Sequence, residues 1–548
     1  VGETADVDTD VRFLGESAPT GDRTGREFVW RAQSNLWDEK TYVLSVFPDH
    51  AEFSLRVCGR GAPERIGFFK GTAETFSQYY AAGYTVPQFQ DVDHERAKQM
   101  AGTVGTLLPL RCAPPPFVFP YWNEYGDDWC GVGIAAPAGQ NNYERLIHRP
   151  VRHRGFYLDL PLYGYTQIDG EWTSPVIWFG WGRDDMEIFH NYAEWTYTAL
   201  GYGRHHGREN VPRWWKMPLF CGWGEQELLA AQRGTDSRAP SNQKEYTAMT
   251  DRLDRLGLPA GTVFIDDGWA VDNALHVNTE KWPDLRAFVD GQHAKGRRVV
   301  LWQHVWGADG WDPALLTRPA TYKQTVDPTN PAFLSALRES IRRALSSDEG
   351  CYNCDGFKMD FLDNVPREES GNDAFDAHVY GLEMMRRLFE AYYRFAKEAK
   401  PDALINTSAV HPYFADVCDQ IRLHDYWGSE RCTVSMMKFR AALTRAVMPD
   451  VLIDTDHEHT ENNQQAMFKD LYDSACGIPV LYHLSGYSDE ELLEIKAKYG
   501  LSELSNAELG LGFVMDKPGL LTVLSGMSAL EQVQENIRIA ERCPEGVM

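Results

Sequence analysis

One stretch of this chain places a carboxylate and an ammonium where they could do chemistry: Gly356-Phe357-Lys358-Met359-Asp360-Phe361-Leu362-Asp363. Read as a strand, its period of two sends Lys358 and Asp360 to one face and Phe357, Met359 and Phe361 to the other. A carboxylate and an ammonium near the C-terminal end of a strand are costly to bury unless they are paired or used. A buried Lys–Asp ion pair accounts for this stretch on its own just as well. The elements around it decide between the two readings.

From Trp214 onward, short apolar runs alternate with helical stretches, the pattern of a parallel sheet. The strands expected are Met217–Cys221, Thr262–Asp266, Arg298–Gln303, Gly356–Asp360, Ala403–Thr407, Gln420–His424, Val451–Asp454 and Pro479–His483. Helices are expected at Asn242–Leu256, Trp282–Lys295, Pro331–Leu345, Asp373–Ala399, Met436–Ala446 and Asn463–Ala475. The gap between the fifth and sixth strands is too short for a full helix. Eight such strands predict a (β/α)8 barrel, whose active sites lie at the C-terminal ends of the strands.

Those ends are polar and aromatic. The first runs into Trp223-Gly224-Glu225, the second into Asp266-Asp267-Gly268-Trp269, and the third into Trp302-Gln303-His304-Val305-Trp306. The fifth gives Asn406-Thr407-Ser408, the sixth Arg422-Leu423-His424-Asp425-Tyr426-Trp427, and the seventh Asp454-Thr455-Asp456-His457-Glu458-His459. Local explanations exist for each: Asp266-Asp267 as a turn cap, Trp302 and Trp306 as rim packing, Asp454–His459 as a metal site. Together, the set suits glycoside transfer, which needs two carboxylates across a bond, polar anchors for hydroxyls and an aromatic platform. Asp360 is the candidate nucleophile, held ionised by Lys358, and Asp425 the candidate acid/base, desolvated by Tyr426 and Trp427. Candidate substrate-binding residues are Asp266, Asp267, Trp269, Trp302, His304, Trp306, Lys358, Asn406, Arg422 and Asp456. No metal and no cofactor is expected.

Upstream, residues 1–203 read as a β-sandwich ending in a linking helix at Asp185–Leu200. Strands are expected at Thr41–Phe47, Ala51–Val57, Trp129–Ala136 and Gly155–Leu162, and a helix at Phe76–Ala81. Arg111–Pro120 is too proline-rich for a central strand. Residues 204–486 are expected to form the catalytic barrel and 487–548 a helical tail, with Asp489–Lys498, Asn506–Phe513 and Ala529–Glu541 as its helices. The formal charge of −25 repels phosphate backbones and anionic lipid, so nucleic acid and membrane partners are not expected. Cys351-Tyr352-Asn353-Cys354 reads as two structural thiols, since no second pair completes a zinc site. No signal peptide is visible, which favours the cytoplasm. A homo-oligomer stays open.

Asp266-Asp267-Gly268-Trp269, Lys358-x-Asp360 and Arg422-x-x-Asp425 resemble the retaining α-galactosidase clan, chiefly glycoside hydrolase family 36 and the raffinose-synthase-like branch. The resemblance spans most of Thr41–Gly486 and is specific at those three motifs. It implies a barrel behind a large β-sandwich, with Asp360 as nucleophile, Asp425 as acid/base, and Asp266, Asp267 and Lys358 contacting the sugar. Two features depart from that family. Asn406-Thr407-Ser408-Ala409-Val410-His411 replaces its Cys- and Gly-rich loop, and its C-terminal β-domain is missing. Val514–Glu541 instead resembles the tail of aldo-keto reductases, without their catalytic tetrad.

The leading expectation is therefore a retaining α-glycosidase acting on an oligosaccharide or glycoside. The alternatives are a raffinose-synthase-type α-galactosyl transglycosylase, a non-catalytic carbohydrate-binding barrel, and an oxidoreductase suggested by the tail. The last lacks a phosphate-cradling glycine motif.

Overall fold

The computed structural model describes residues 4–19, 23–68, 84–85, 105–106, 116–123, 129–151, 155–207, 209, 211–258, 260–317, 324–366, 374–423, 430–456, 477–478, 480–481 and 484–498. The expected helices at Phe76–Ala81, Asn463–Ala475, Asn506–Phe513 and Ala529–Glu541, and the segment Val514–Glu541, lie outside the described residues.

The barrel strands are Leu219–Cys221, Thr262–Ile265, Arg298–His304, Gly356–Asp360, Leu404–Thr407, Gln420–Arg422, Leu452–Asp454 and Val480–Leu481, each parallel to its neighbours. The eighth pairs with the first, and a parallel bridge between Asp454 and Ile478 joins the seventh to the eighth, which closes the ring. Helices cover it at Gln243–Leu256, Leu285–Ala294, Pro331–Leu345, Gly381–Ala399 and Glu430–Val447. Strands five and six are linked by a 3-10 turn at Pro412–Val417 rather than a full helix.

Alternation along each strand sorts the side chains. Outward residues such as Val263, Leu301, Phe357, Met359, Ile405 and Ile421 pack under the helices in the main core. Inward residues near the strand starts, among them Leu219, Phe264, Val300, Leu404, Leu452 and Val480, form a second apolar cluster with Trp214 and Trp215. Those two tryptophans sit in the 3-10 turn just before the first strand and plug the bottom of the barrel. The inward positions above this plug are polar.

In the N-terminal region an antiparallel sheet runs through Asp8–Ser17, Arg26–Ser34, Glu39–Val46, His50–Gly61, Val176–Gly182, Trp129–Ala135, Val118–Asn123 and Tyr84–Thr85. A second sheet holds Arg65–Phe68, Gly155–Pro161, Arg145–Val151 and Gly105–Thr106. The fold is thus a (β/α)8 barrel preceded by a β-sandwich. One detail departs from the sequence expectation: Val118–Asn123 is a strand with neighbours on both sides. Pro120 is tolerated because it faces Gly131 on one side, while the short Tyr84–Thr85 strand reaches only Asn123 and Trp122 on the other.

Helix Asp185–Ala199, capped by Asp184 on the Glu187 N–H, connects the two parts. Its Tyr197 hydroxyl donates to the Val447 carbonyl at 2.7 Å. A buried polar knot adds to this junction: Asn141 Oδ1 accepts from the Tyr143 and Tyr202 hydroxyls, and Glu383 accepts from Tyr413 at 2.7 Å. Among the described residues, no helix is long and apolar enough to cross a membrane.

Candidate functional site

The polar upper layer of the barrel is organised around Asp360, the last residue of strand four. Its Oδ1 accepts from Arg422 Nη2 at 2.6 Å and from the Phe361 N–H at 2.9 Å. Its Oδ2 accepts from the Trp302 indole N–H at 2.9 Å. Charge-assisted bonds of this kind fix both the ionisation and the orientation of a carboxylate. The side chain still keeps 24% of its surface exposed at the barrel mouth, whereas Arg422 keeps 1%.

Lys358 does not serve Asp360 in the way its sequence position suggested. Its ammonium pairs at 2.8 Å with Asp266 Oδ2, both groups being buried, and lies 3.6 Å from Cys221 Sγ. Burial is the largest influence and works against the Lys358 charge, but Asp266, Cys221 and Asp456 together outweigh it and hold the ammonium above its ordinary value. The Cys221 thiol donates to Asp266 Oδ2 at 3.3 Å, and burial pushes that thiol up. Two inward positions on one strand face can therefore be neutralised from different directions: Lys358 from strand two, Asp360 from strand six.

Asp267, next to Asp266, points to the rim and meets Arg238 Nε at 3.0 Å. Burial raises its carboxyl to about 6; Arg238 opposes this, while Asp266 and Asp360 add to it. Gly268 adopts φ +100°, and a side chain there would run into the Arg238 backbone, so the glycine lets the two loops touch.

Behind Asp360, Arg422 also reaches Asp456 Oδ2 at 3.1 Å. The Asp456 N–H donates to Asp454 Oδ1, and the Asn406 amide donates to Asp454 Oδ2 at 2.5 Å. Burial, then the Asp456 carboxylate, raise Asp454 to about 7. Asn406, Arg422, Asp454 and Asp456 thus form a buried array adjoining Asp360. The sequence places Asn406, Arg422 and Asp456 against the substrate; in the structure the Asn406 amide donates to Gln420 and Asp454, while Arg422 bridges Asp360 and Asp456.

The tryptophans divide. Trp302 joins Asp360 directly. Trp269 and Trp306 are both buried, and their indole N–H groups donate to the Trp302 and Leu362 carbonyls at 2.8 and 3.1 Å. They support the rim from below and present no open face to a ligand, a correction to their expected binding role. Both rings belong to the main apolar core. His304 sits at the mouth, 2.9 Å from the Asn364 amide and against the Phe361 ring.

Phe361 also departs from expectation. The strand stops at Asp360 and Phe361 turns to φ +55°, leaving the residue 47% exposed instead of packed on the outer face. Three participants escaped the sequence reading: Cys221, Arg238 and Phe361. Only Cys221 had a usable signal, since it shares the inward period of strand one with Leu219. Glu225, noted at the end of strand one, lies in the first turn of the helix Trp223–Arg233; it is buried and accepts the Ser485 N–H at 2.5 Å, tying that helix to the loop after strand eight.

Asp425 and residues 457–459 of the Asp454–His459 cluster lie outside the described residues. Among the described residues, no group of three or more His, Cys, Asp or Glu is arranged to hold a metal ion. Cys351 and Cys354 are buried free thiols.

No protein-family model matches the sequence, and no curated protein matches it. Its fold, however, resembles several solved structures. A glycoside hydrolase family 36 α-galactosidase from Geobacillus stearothermophilus, in complex with stachyose, matches with TM-score 0.53 and 13% identity over 91% of this chain and 74% of that one. An uncharacterized protein from Listeria monocytogenes, in complex with glucose, magnesium and calcium, gives 0.56 and 11% over 93% and 55%. A cycloalternan-forming enzyme from the same organism, in complex with a pentasaccharide substrate, gives 0.51 and 12% over 94% and 54%. The barrel-and-sandwich fold of family 36 α-galactosidases is therefore the fold of this chain.

Proposed function

We propose that this protein is a retaining α-glycosidase that removes a terminal α-linked sugar, galactose first among the candidates, by double displacement. The observation that carries the reading is the setting of Asp360. It is an oriented carboxylate with three donors, still partly open, at the mouth of a barrel whose fold is shared with α-galactosidases. Asp360 attacks the anomeric carbon while Asp425 protonates the leaving oxygen; Asp425 then deprotonates the water that releases the sugar. Retention requires the two carboxyl groups about 5–5.5 Å apart. Asp267 and the Lys358–Asp266 pair anchor hydroxyls, and Arg422 and Trp302 hold the nucleophile ionised. In this reading residues 1–203 are a sandwich domain with its linking helix, 204–486 the catalytic barrel and 487–548 a helical tail.

The test uses azide. Asp360→Ala should abolish turnover on every substrate, while Asp425→Ala should retain the first step on an activated aryl glycoside. Azide should then give an α-glycosyl azide from Asp425→Ala and the inverted β-azide from Asp360→Ala. The same anomer from both variants would refute the assignment. A sugar acceptor outcompeting water in the wild type would move the protein from hydrolase to transglycosylase with the same residues.

A further inference from the structure

We propose that Phe361 is a specificity-determining residue whose exposed ring forms the wall receiving the leaving group, taken up as a neutral sugar ring. This rests on the glycosidase reading above.

Three independent observations converge on the ring. The first is conformational: Phe361 holds φ +55° and ψ +41°, a region where a bulky side chain is strained and where Gly or Asn is at ease. Reversing the chain and placing the Phe361 N–H on Asp360 Oδ1 would need only the backbone. A Gly or Asn would do that with less strain, so the backbone does not explain the Phe. The second is exposure. The residue keeps 47% of its surface open, so burial accounts for only part of the choice of a large aromatic here. The third is position. The ring centroid is 4.5 Å from that of His304 and 6.1 Å from that of Trp302, meeting Trp302 edge-on at 87°. Trp302 is the residue whose indole N–H holds Asp360 Oδ2. An open aromatic face is thus fixed beside the candidate nucleophile, supported by two rings. Strain of this kind persists where the surroundings impose it and tends to mark functional sites.

The occupant follows from chemistry. The sugar being transferred needs hydroxyl partners, and the polar groups Asp267 and Lys358–Asp266 lie toward strand two. Phe361 offers no hydrogen bond; it offers a flat apolar surface suited to the C–H face of a pyranose. Asp267 and Asp360 flank the mouth, which disfavours an anionic leaving group. A neutral sugar ring remains.

The experiment compares leaving groups with and without a ring. Phe361→Asn keeps a residue that accepts the left-handed backbone and removes the ring; Phe361→Tyr keeps the ring. The substrates are α-galactosyl and α-glucosyl fluoride, whose leaving group has no ring, and the matching disaccharides melibiose and isomaltose, read on whichever sugar the wild type accepts. We expect Phe361→Asn to lose kcat/KM roughly tenfold on the disaccharide, the scale of one aromatic stacking contact, and to leave the fluoride within about twofold. Phe361→Tyr should match the wild type on both. The melting temperature of Phe361→Asn should hold or rise as strain is relieved. Equal losses on fluoride and disaccharide, no loss on either, or a clear fall in melting temperature would overturn the proposal. If the wild type turned over neither fluoride nor disaccharide, the glycosidase reading would fall and the subsite with it.

Discussion

Arg422 is the point at which a single substitution should separate chemistry from stability. Its buried guanidinium bridges Asp360 at 2.6 Å and Asp456 at 3.1 Å. Two unit charges about 4 Å apart interact by about 4 kcal/mol at an effective dielectric near 20. Asp360 is a quarter exposed, so solvent takes part of that, and an adjacent arginine moves an aspartate titration by about one to three pH units. Arg422→Met alone leaves two carboxylates facing a buried apolar chain, and breaking a buried pair costs about 3–5 kcal/mol. Against a typical total near 5–15 kcal/mol, that variant risks unfolding. The informative protein is therefore Arg422→Met in an Asp456→Asn background, where the second buried charge is already gone.

The assay is kcat/KM against pH on an aryl α-glycoside, with every protein compared carrying Asp267→Asn so that Asp360 alone shapes the acidic limb, beside urea denaturation of each variant. In the proposed double displacement, catalysis needs Asp360 ionised. Without the guanidinium its proton is held more tightly, so the acidic limb should move upward by about one to three pH units while the plateau falls. Asp456→Asn alone should leave that limb near its wild-type position, because Arg422 still reaches Asp360. An acidic limb in the double variant that superposes on Asp456→Asn alone would refute the reasoning.

Further outcomes follow from the same geometry. The Asp267 carboxyl, raised to about 6 by burial, should appear as a rise of kcat/KM through about pH 6 that Asp267→Asn abolishes. Because its folded pKa lies above the ordinary aspartate value, its contribution to stability is full below about pH 4 and lost as pH rises through about 6. Denaturation of the wild type across that window should show the loss, and Asp267→Asn should not. Lys358→Met strands the buried Asp266 charge and should cost about 3–5 kcal/mol by urea denaturation, most of it recovered by adding Asp266→Asn; a double variant no better than the single would refute the pairing. Gly356→Ala should fail to fold or lose several kcal/mol, since φ is +149° and a Cβ would meet the Leu404 carbonyl oxygen at 2.0 Å; a melting temperature within a few degrees of wild type would contradict this.

Strand four was legible to the residue because its inward and outward positions differ so sharply: Lys358 and Asp360 against Phe357 and Met359. Phe361 was misplaced because the alternation rule assumes that the strand continues, and nothing in a phenylalanine announces a left-handed residue. Trp269 and Trp306 illustrate a different gap. Their position after strand ends was readable, but whether a ring is open or buried depends on how the following loop packs, and both are buried, donating to the Trp302 and Leu362 carbonyls. Trp302 sits inside strand three, two residues before its end, where the pleat alone fixes its direction.

The partners of the charged residues were hidden for a reason that the barrel itself supplies. In a closed eight-stranded barrel, side chains at one level come from alternate strands, because the strands tilt and adjacent ones are staggered. The pairs obey this: Asp266, the residue after strand two, meets Lys358 on strand four, and Asp360 on strand four meets Arg422 on strand six. Neighbours in sequence, such as Lys358 and Asp360, lie at successive levels, and so each is neutralised from a different even-numbered strand. Arg422 links to Asp456 just past strand seven only because Asp456 itself leaves the strand at φ +51° and turns back. A carboxylate placed on strand four is then read best not against its own neighbours but against the inward residues of strands two and six. By that rule a guanidinium at the end of strand six is the natural counter-ion for Asp360.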